Sequence, residues 1–225
     1  MKKLVQGIID FKNKVSLEYK ETFSRLALGQ SPDALFVTCS DSRVAPNLFA
    51  STDPGDLFVL RNVGNFIPPC CEFENMSVGC ESPAAALEFA VLNLKVSSII
   101  ICGHSNCGAM QFLLRDDQQN ISPHLKRWLE NGTVALKKLH EKKETKPSPL
   151  PLQDYLSQLN VLEQINHLLS YPMIRERVDA GDLKLYGWWF DIGRTEVLSY
   201  HDEKKEFVMF DETEATRILN GLRNK

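Results

Sequence analysis

The chain has 225 residues, 43% hydrophobic and 24% charged, which suits a self-sufficient globular core and excludes disorder, collagen and coiled coil as the main class. Lys and Arg total 26 against 29 Asp and Glu, so the formal net charge is −3 and no basic excess exists to neutralise a nucleic-acid backbone. The longest apolar runs, such as Ser98 to Cys102, fall far short of a membrane span, and Gln6, Asp10 and Lys12 interrupt any signal-peptide core after Met1-Lys2-Lys3, so the expected location is the cytoplasm.

In chain order, Leu4, Ile8, Phe11, Val15 and Tyr19 recur at helical spacing and predict two amphipathic helical segments over residues 3 to 28, ended by Gly29. Leu35-Phe36-Val37-Thr38, Leu57-Phe58-Val59-Leu60 and Ser97 to Cys102 read as buried strands, the second launched by the Pro54-Gly55-Asp56 turn. Pro83 to Leu94 reads as a helix between the last two. Continuously apolar strands separated by helix predict a parallel sheet covered on both faces. Arg115 to Leu150 is polar and charged; Ser122-Pro123 opens a short helix there that Asn131-Gly132 closes, and residues 146–151 form a turn-rich connector. Residues 152 to 170 carry Leu156, Leu159, Leu162, Ile165 and Leu169 on one helical face. Leu183 to Asp191 and Glu196 to Tyr200 pair as strands around Gly193, and a strand at Phe207 to Phe210 and a charged helix finish the chain. The expected fold is one α/β domain over residues 1–225, with a mainly parallel sheet flanked by helices, an antiparallel C-terminal strand region and an N-terminal helical arm.

In an open parallel sheet, function gathers at the carboxyl ends of the strands. Two strand ends carry unusual residues: Cys39-Ser40-Asp41-Ser42-Arg43 and Cys102-Gly103-His104-Ser105-Asn106-Cys107-Gly108. His104 and Cys107 are three apart, so one helical turn can aim both at a point that Cys39 reaches from the neighbouring strand. Two thiolates and an imidazole suit zinc, and three protein ligands with an open fourth position mark a catalytic site. Asp41 can reach that position, and Arg43 can clamp it in a charge-assisted, bidentate pair that keeps it ionised.

Rival patterns fail on spacing. A phosphatase-like Cys loop needs its Arg further on, Gly103-His104-Ser105-Asn106-Cys107 misses the nucleophile-elbow register, and no Gly-rich nucleotide-binding motif is present. Of the six cysteines, Cys102 reads as strand packing, and Cys70, Cys71 and Cys80 read as ordinary thiols in a loop. His124, His140, His167 and His201 read as surface residues, and Trp188-Trp189 as sheet core or interface.

These residues resemble the β-class carbonic anhydrases. The resemblance rests on Cys39-Ser40-Asp41-Ser42-Arg43, Pro54-Gly55-Asp56, Arg61-Asn62-Val63-Gly64-Asn65, Ala86-Leu87-Glu88-Phe89-Ala90-Val91 and Gly103-His104-Ser105-Asn106-Cys107-Gly108, over roughly residues 28 to 112. It implies one Zn2+ per chain on Cys39, His104 and Cys107, an Asp41–Arg43 catalytic dyad, and attack of zinc-bound hydroxide on carbon dioxide to give bicarbonate and a proton. It also implies a substrate pocket of Phe58, Val63 and Phe89, with Gln30 and the Gly108 N–H as donors, at the interface of a homodimer or a dimer of dimers. Residues 1–30 would wrap the neighbouring subunit.

Members regulated by bicarbonate carry Trp and Tyr where this chain has Phe36 and Phe89, while Gln30 resembles the plant-like subgroup with a constitutively open zinc. Relatives with the same ligands act on carbon disulfide or carbonyl sulfide, and a zinc protein that only senses bicarbonate is the non-enzymatic alternative.

Overall fold

A computed structural model of the chain describes residues 1–70, 81–115, 121–145 and 148–223. The chain begins with a helical arm. Helix α1 (Lys2–Asp10) runs through a wider turn at Phe11–Val15 into α2 (Ser16–Glu18) and α3 (Lys20–Leu26). None of these residues is buried, and Leu4, Ile8, Phe11 and Val15 lie exposed at the predicted helical spacing.

The body follows as β1 (Ala34–Cys39), α4 (Pro46–Phe49), β2 (Leu57–Asn62), α5 (Glu81–Glu88), β3 (Ser98–His104), α6 (Gly108–Leu113), α7 (Pro123–Leu129), α8 (Thr133–Thr145), α9 (Leu152–Leu168), α10 (Pro172–Asp179), β4 (Lys184–Asp191), β5 (Glu196–His201), β6 (Glu206–Met209) and α11 (Glu212–Arg223). The six strands form one sheet in the order β2-β1-β3-β4-β5-β6. The first four run parallel, and β5 and β6 continue the sheet antiparallel. This is the expected class.

Alternation along the strands divides the core. Leu35, Val37, Ile99 and Ile101 face Leu87, Val91, Val161 and Ile174 on one side. Ala34, Phe36, Ile100 and Cys102 cluster on the other side with Trp188 and Phe190 of β4 and with Phe49. β1 and β3 are buried throughout, whereas β2 is only half-buried. Its apolar run reads as a buried strand, but it lies at the sheet edge, with a neighbour on one side alone among the described residues.

The longest helix, α9, crosses close to the strand ends. A Cβ on Gly103 or Gly187 would stand 2.8 or 3.0 Å from Val161, so these two glycines set the approach of α9 to β3 and β4. The predicted apolar face is present in Leu156 and Leu159, but Asp154, Ser157, Asn160, Glu163 and Gln164 are buried as well.

The short helix expected from Ser122-Pro123 to Asn131-Gly132 is α7, and the turn Glu130–Gly132 follows its end. The turn Glu130–Gly132 leads straight into α8, and a Cβ on Gly132 would meet Leu113 at 2.6 Å, so this glycine serves close packing. Helix α8 follows it where the sequence shows only a charged stretch.

Candidate metal centre and active site

The parallel register brings the two motifs together. Thr38 pairs with Cys102, so Cys39 and His104 emerge side by side at the carboxyl edge. His104 ends β3, Asn106 takes a left-handed φ of 55°, and Cys107 stands in extended conformation just before α6. The sequence spacing suggested one helical turn. A tight strand-to-helix turn achieves the convergence instead, because the left-handed residue reverses the chain between the two ligands.

Cys39, His104 and Cys107 are all buried, and their Sγ and ring-nitrogen atoms lie within 4.8 Å of one another. His104 Nδ1–H donates to the Ser105 carbonyl at 2.9 Å, which fixes the tautomer with a lone pair on Nε2. That Nε2 is buried and has no hydrogen-bond partner among the described residues. A buried nitrogen lone pair beside two sulfurs is the donor set of a tetrahedral zinc site. The hydrogen bond from Cys107 pushes the Cys39 thiol down and the Cys107 thiol up, and the Gly64 N–H supports Cys39 Sγ at 3.4 Å.

Asp41 stands beside this group, its Oδ2 4.0 Å from His104 Nε2. Arg43 donates from Nε to Oδ1 at 2.9 Å and from Nη2 to Oδ2 at 2.7 Å, the bidentate clamp expected from the spacing. This guanidinium holds the Asp41 carboxyl well below the usual carboxylate range. Arg43 Nη2 also donates to the Asn106 carbonyl at 3.1 Å, tying the dyad to the turn between the ligands.

Several supporting residues escaped the sequence reading. Arg61 Nη2 donates to the carbonyls of Cys39 and Asp41 at 3.0 and 2.8 Å and fixes that loop. From α9, Asp154 accepts the Asn106 N–H at 2.7 Å and Ser157 donates to the His104 carbonyl at 3.0 Å. Asn160 donates to the Gly64 carbonyl at 3.1 Å, and Gln164 accepts the Ile67 N–H at 2.8 Å. The only sequence signal is a polar stripe at helical spacing beside the apolar one, which ordinarily reads as a solvated face.

The expected pocket residues divide into two groups. Val63 and Gly108 adjoin the ligand loops, and Trp128 Nε1 donates to the Val63 carbonyl at 2.7 Å. Phe58 pairs with Leu35, four positions before Cys39 and hence about 13 Å down the strand, and its ring lies 5.7 Å from that of Phe89. Gln30 is exposed between the arm and β1. Phe58 and Phe89 therefore lie together, away from Cys39 of the same chain.

Cys102 is buried in β3, where burial pushes its thiol up to about 12, as expected of a packing residue. Cys70 is exposed, and Cys71 and Cys80 lie outside the described residues. His124 and His140 are at the surface. His167 is not: its Nδ1–H donates to the Ile67 carbonyl at 2.6 Å and Nε2 faces Glu163 at 3.5 Å. His201 is half-buried as well. Both sit in polar stretches whose neighbours come from distant elements. Trp189 is core, and Trp188 packs edge-on against Phe36 and Phe210.

The family profile described as "Carbonic anhydrase" matches residues 34–197. A carbonic anhydrase of Synechocystis sp. is 37% identical over 92% of this chain and 74% of its own length. One of Helicobacter pylori strain J99 is 35% identical over 94% of this chain and 96% of its own. Among solved structures, the β-carbonic anhydrase CcaA superposes with a TM-score of 0.85 at 36% identity, over 94% of this chain and 92% of that one. A tetrameric β-carbonic anhydrase of Sordaria macrospora gives 0.76 at 30% identity, over 87% of this chain and 94% of that one. The chain belongs to the β-class carbonic anhydrase family. It is accordingly a carbonate dehydratase, a lyase that interconverts carbon dioxide and bicarbonate.

Proposed function

We propose that Cys39, His104 and Cys107 hold one zinc ion per chain, and that Asp41 and Arg43 act on carbon dioxide hydration at its open fourth position. The observation that carries this reading is the buried, unpartnered Nε2 of His104 facing both the cysteine pair and a carboxylate that Arg43 keeps ionised. Zinc in such a site lowers the pKa of a bound water and supplies a hydroxide nucleophile at neutral pH.

The chain's own residues do the rest. Asp41 would accept a hydrogen bond from the attacking oxygen and so orient its lone pair toward carbon. Arg43 holds the Asp41 carboxylate ionised and in place, which would keep it from binding the metal near neutral pH, as in the plant-like subgroup. The Gly108 N–H donates to the product bicarbonate. Val63 supplies an apolar wall from the same chain, and Gln30, Phe58 and Phe89 complete the neighbour's pocket across a homodimer interface. The separation of Phe58 from Cys39 along the strand supports this division.

The unburied apolar stripe of the arm supports wrapping of residues 1–30 around that neighbour, in a dimer or dimer of dimers. Among the described residues no helix is long and apolar enough to cross a membrane.

Isotopic oxygen exchange between labelled carbon dioxide and water tests the reading, with hydrolysis of carbonyl sulfide and carbon disulfide followed in parallel. Exchange that outpaces both sulfur substrates supports it. Sulfur turnover without exchange overturns it.

A further inference from the structure

The geometry points to Asp154 as a positioning residue for the dyad: by accepting the Asn106 N–H it fixes the residue whose carbonyl holds Arg43, and through Arg43 the Asp41 carboxylate beside His104. The inference rests on the hydration reading above and adds a residue to it.

Asn106 is the joint. It lies between His104 and Cys107 in a left-handed conformation, which Asn tolerates better than other residues with a side chain and which is still uncommon. Three contacts hold it. Asp154 Oδ1 accepts its N–H at 2.7 Å, Gln153 Nε2 donates to its side-chain oxygen at 2.7 Å, and Arg43 Nη2 donates to its carbonyl at 3.1 Å. Two of the three come from the first turn of α9, and the third is the guanidinium that clamps Asp41.

The α9 anchor is rigid. Asp154 is 6% exposed, and one turn further on Ser157 bonds the His104 carbonyl and accepts from Trp189 Nε1 at 3.1 Å. Gly103 admits this helix to within contact of the strand that ends in His104. Asp154 bonds a backbone N–H and not a metal ligand atom or the dyad itself, so its influence on the reaction passes through Asn106 and Arg43. Without it, the turn is free to leave the left-handed conformation, the Asn106 carbonyl rotates away, and Arg43 loses the contact that orients its fork.

Zinc-loaded and cobalt-substituted protein carrying Asp154→Ala, Asp154→Asn or Gln153→Ala tests this. Asp154→Ala should lower kcat/KM for hydration by about 10–100-fold, the usual cost of removing an outer partner of a metal site. It should also shift the visible bands of the cobalt form, while Asp154→Asn, which keeps an acceptor oxygen, recovers most of both. Unchanged kcat/KM and an unchanged cobalt spectrum in Asp154→Ala overturn the inference. So does an Asp154→Asn form that folds yet is as impaired as Asp154→Ala. Should Asp154→Ala not fold, Gln153→Ala at an exposed side chain decides: a smaller loss in the same direction supports the inference, and wild-type behaviour overturns it. Wild-type protein that fails to hydrate carbon dioxide defeats the functional reading alone, because the cobalt spectra still report whether Asp154 holds the turn.

Discussion

The Asp41 carboxylate stands 4.0 Å from His104 Nε2 while Arg43 holds both of its oxygens. Two residues apart in sequence, Asp41 and Arg43 form a bidentate ion pair beside a buried Cys2His group. A carboxylate so held is a fixed acceptor, and a poor competitor for the metal. Asp41→Ala should therefore keep zinc and lose hydration by about 100-fold, within the range for a positioned acid or base. Metal analysis and initial rates on one preparation check this; wild-type turnover would remove Asp41 from the dyad.

Arg43→Ala separates charge from position. Arg43 pulls the Asp41 carboxyl below its ordinary range, chiefly by donating hydrogen bonds to it. Loss of Arg43 lets Asp41 rise toward that range, so its protonation occurs at higher pH. Carboxyl-resolved NMR titration should show that upward move directly. An Asp41 carboxyl that titrates as in the wild type would contradict the pairing.

The folded chain has a second clamped carboxylate away from the site. Buried Glu214 receives two hydrogen bonds from Arg217 at 2.6 and 2.8 Å, which lower its pKa from 4.5. A lowered folded pKa contributes stability that is full above 4.5 and is lost as pH falls through the folded value. Arg217 is 40% exposed, so water screens the pair and Glu214→Gln should cost only about 1 kcal/mol at neutral pH. Urea denaturation at neutral and strongly acidic pH should show that difference closing in acid.

Gly103 is the close contact between β3 and α9. A Cβ there would lie 2.8 Å from Val161 and 3.0 Å from Ser157 Oγ. Gly103→Ala should cost about 1–3 kcal/mol through overpacking. It should also weaken zinc retention, because the displaced strand ends in His104. Thermal melting and zinc release to a chelator measure the two effects. An alanine form that melts and holds zinc like the wild type would show that α9 does not set the strand end.

The arm gives a test of assembly. Removal of residues 1–28 takes away the exposed stripe of Leu4, Ile8, Phe11 and Val15 and should leave the α/β body folded. Light scattering should report a smaller assembly, and hydration should fall if the neighbour completes the pocket. An unchanged mass would assign the interface elsewhere.

The sequence was most legible where chemistry follows a strand directly. Cys39 and His104 sit at the ends of β1 and β3, whose apolar runs are unmistakable, so their convergence could be read from parallel pairing alone. Asp41 and Arg43 were legible because their geometry is local. The supports on α9 were not: Asp154, Ser157, Asn160 and Gln164 have the spacing of a solvated face, and their partners are mostly backbone groups 48 to 97 residues away. Helix α8 was hidden for a related reason, since its charged composition and the Gly132 before it resemble a loop. His167 reads as a surface residue until Ile67, 100 residues earlier, is brought against it.

The most direct test of the account is stopped-flow hydration of carbon dioxide by protein of known zinc content, before chelation, after it, and after zinc is returned. The account predicts turnover at one zinc per chain that disappears with the metal and comes back with it. Full zinc occupancy without hydration would contradict it.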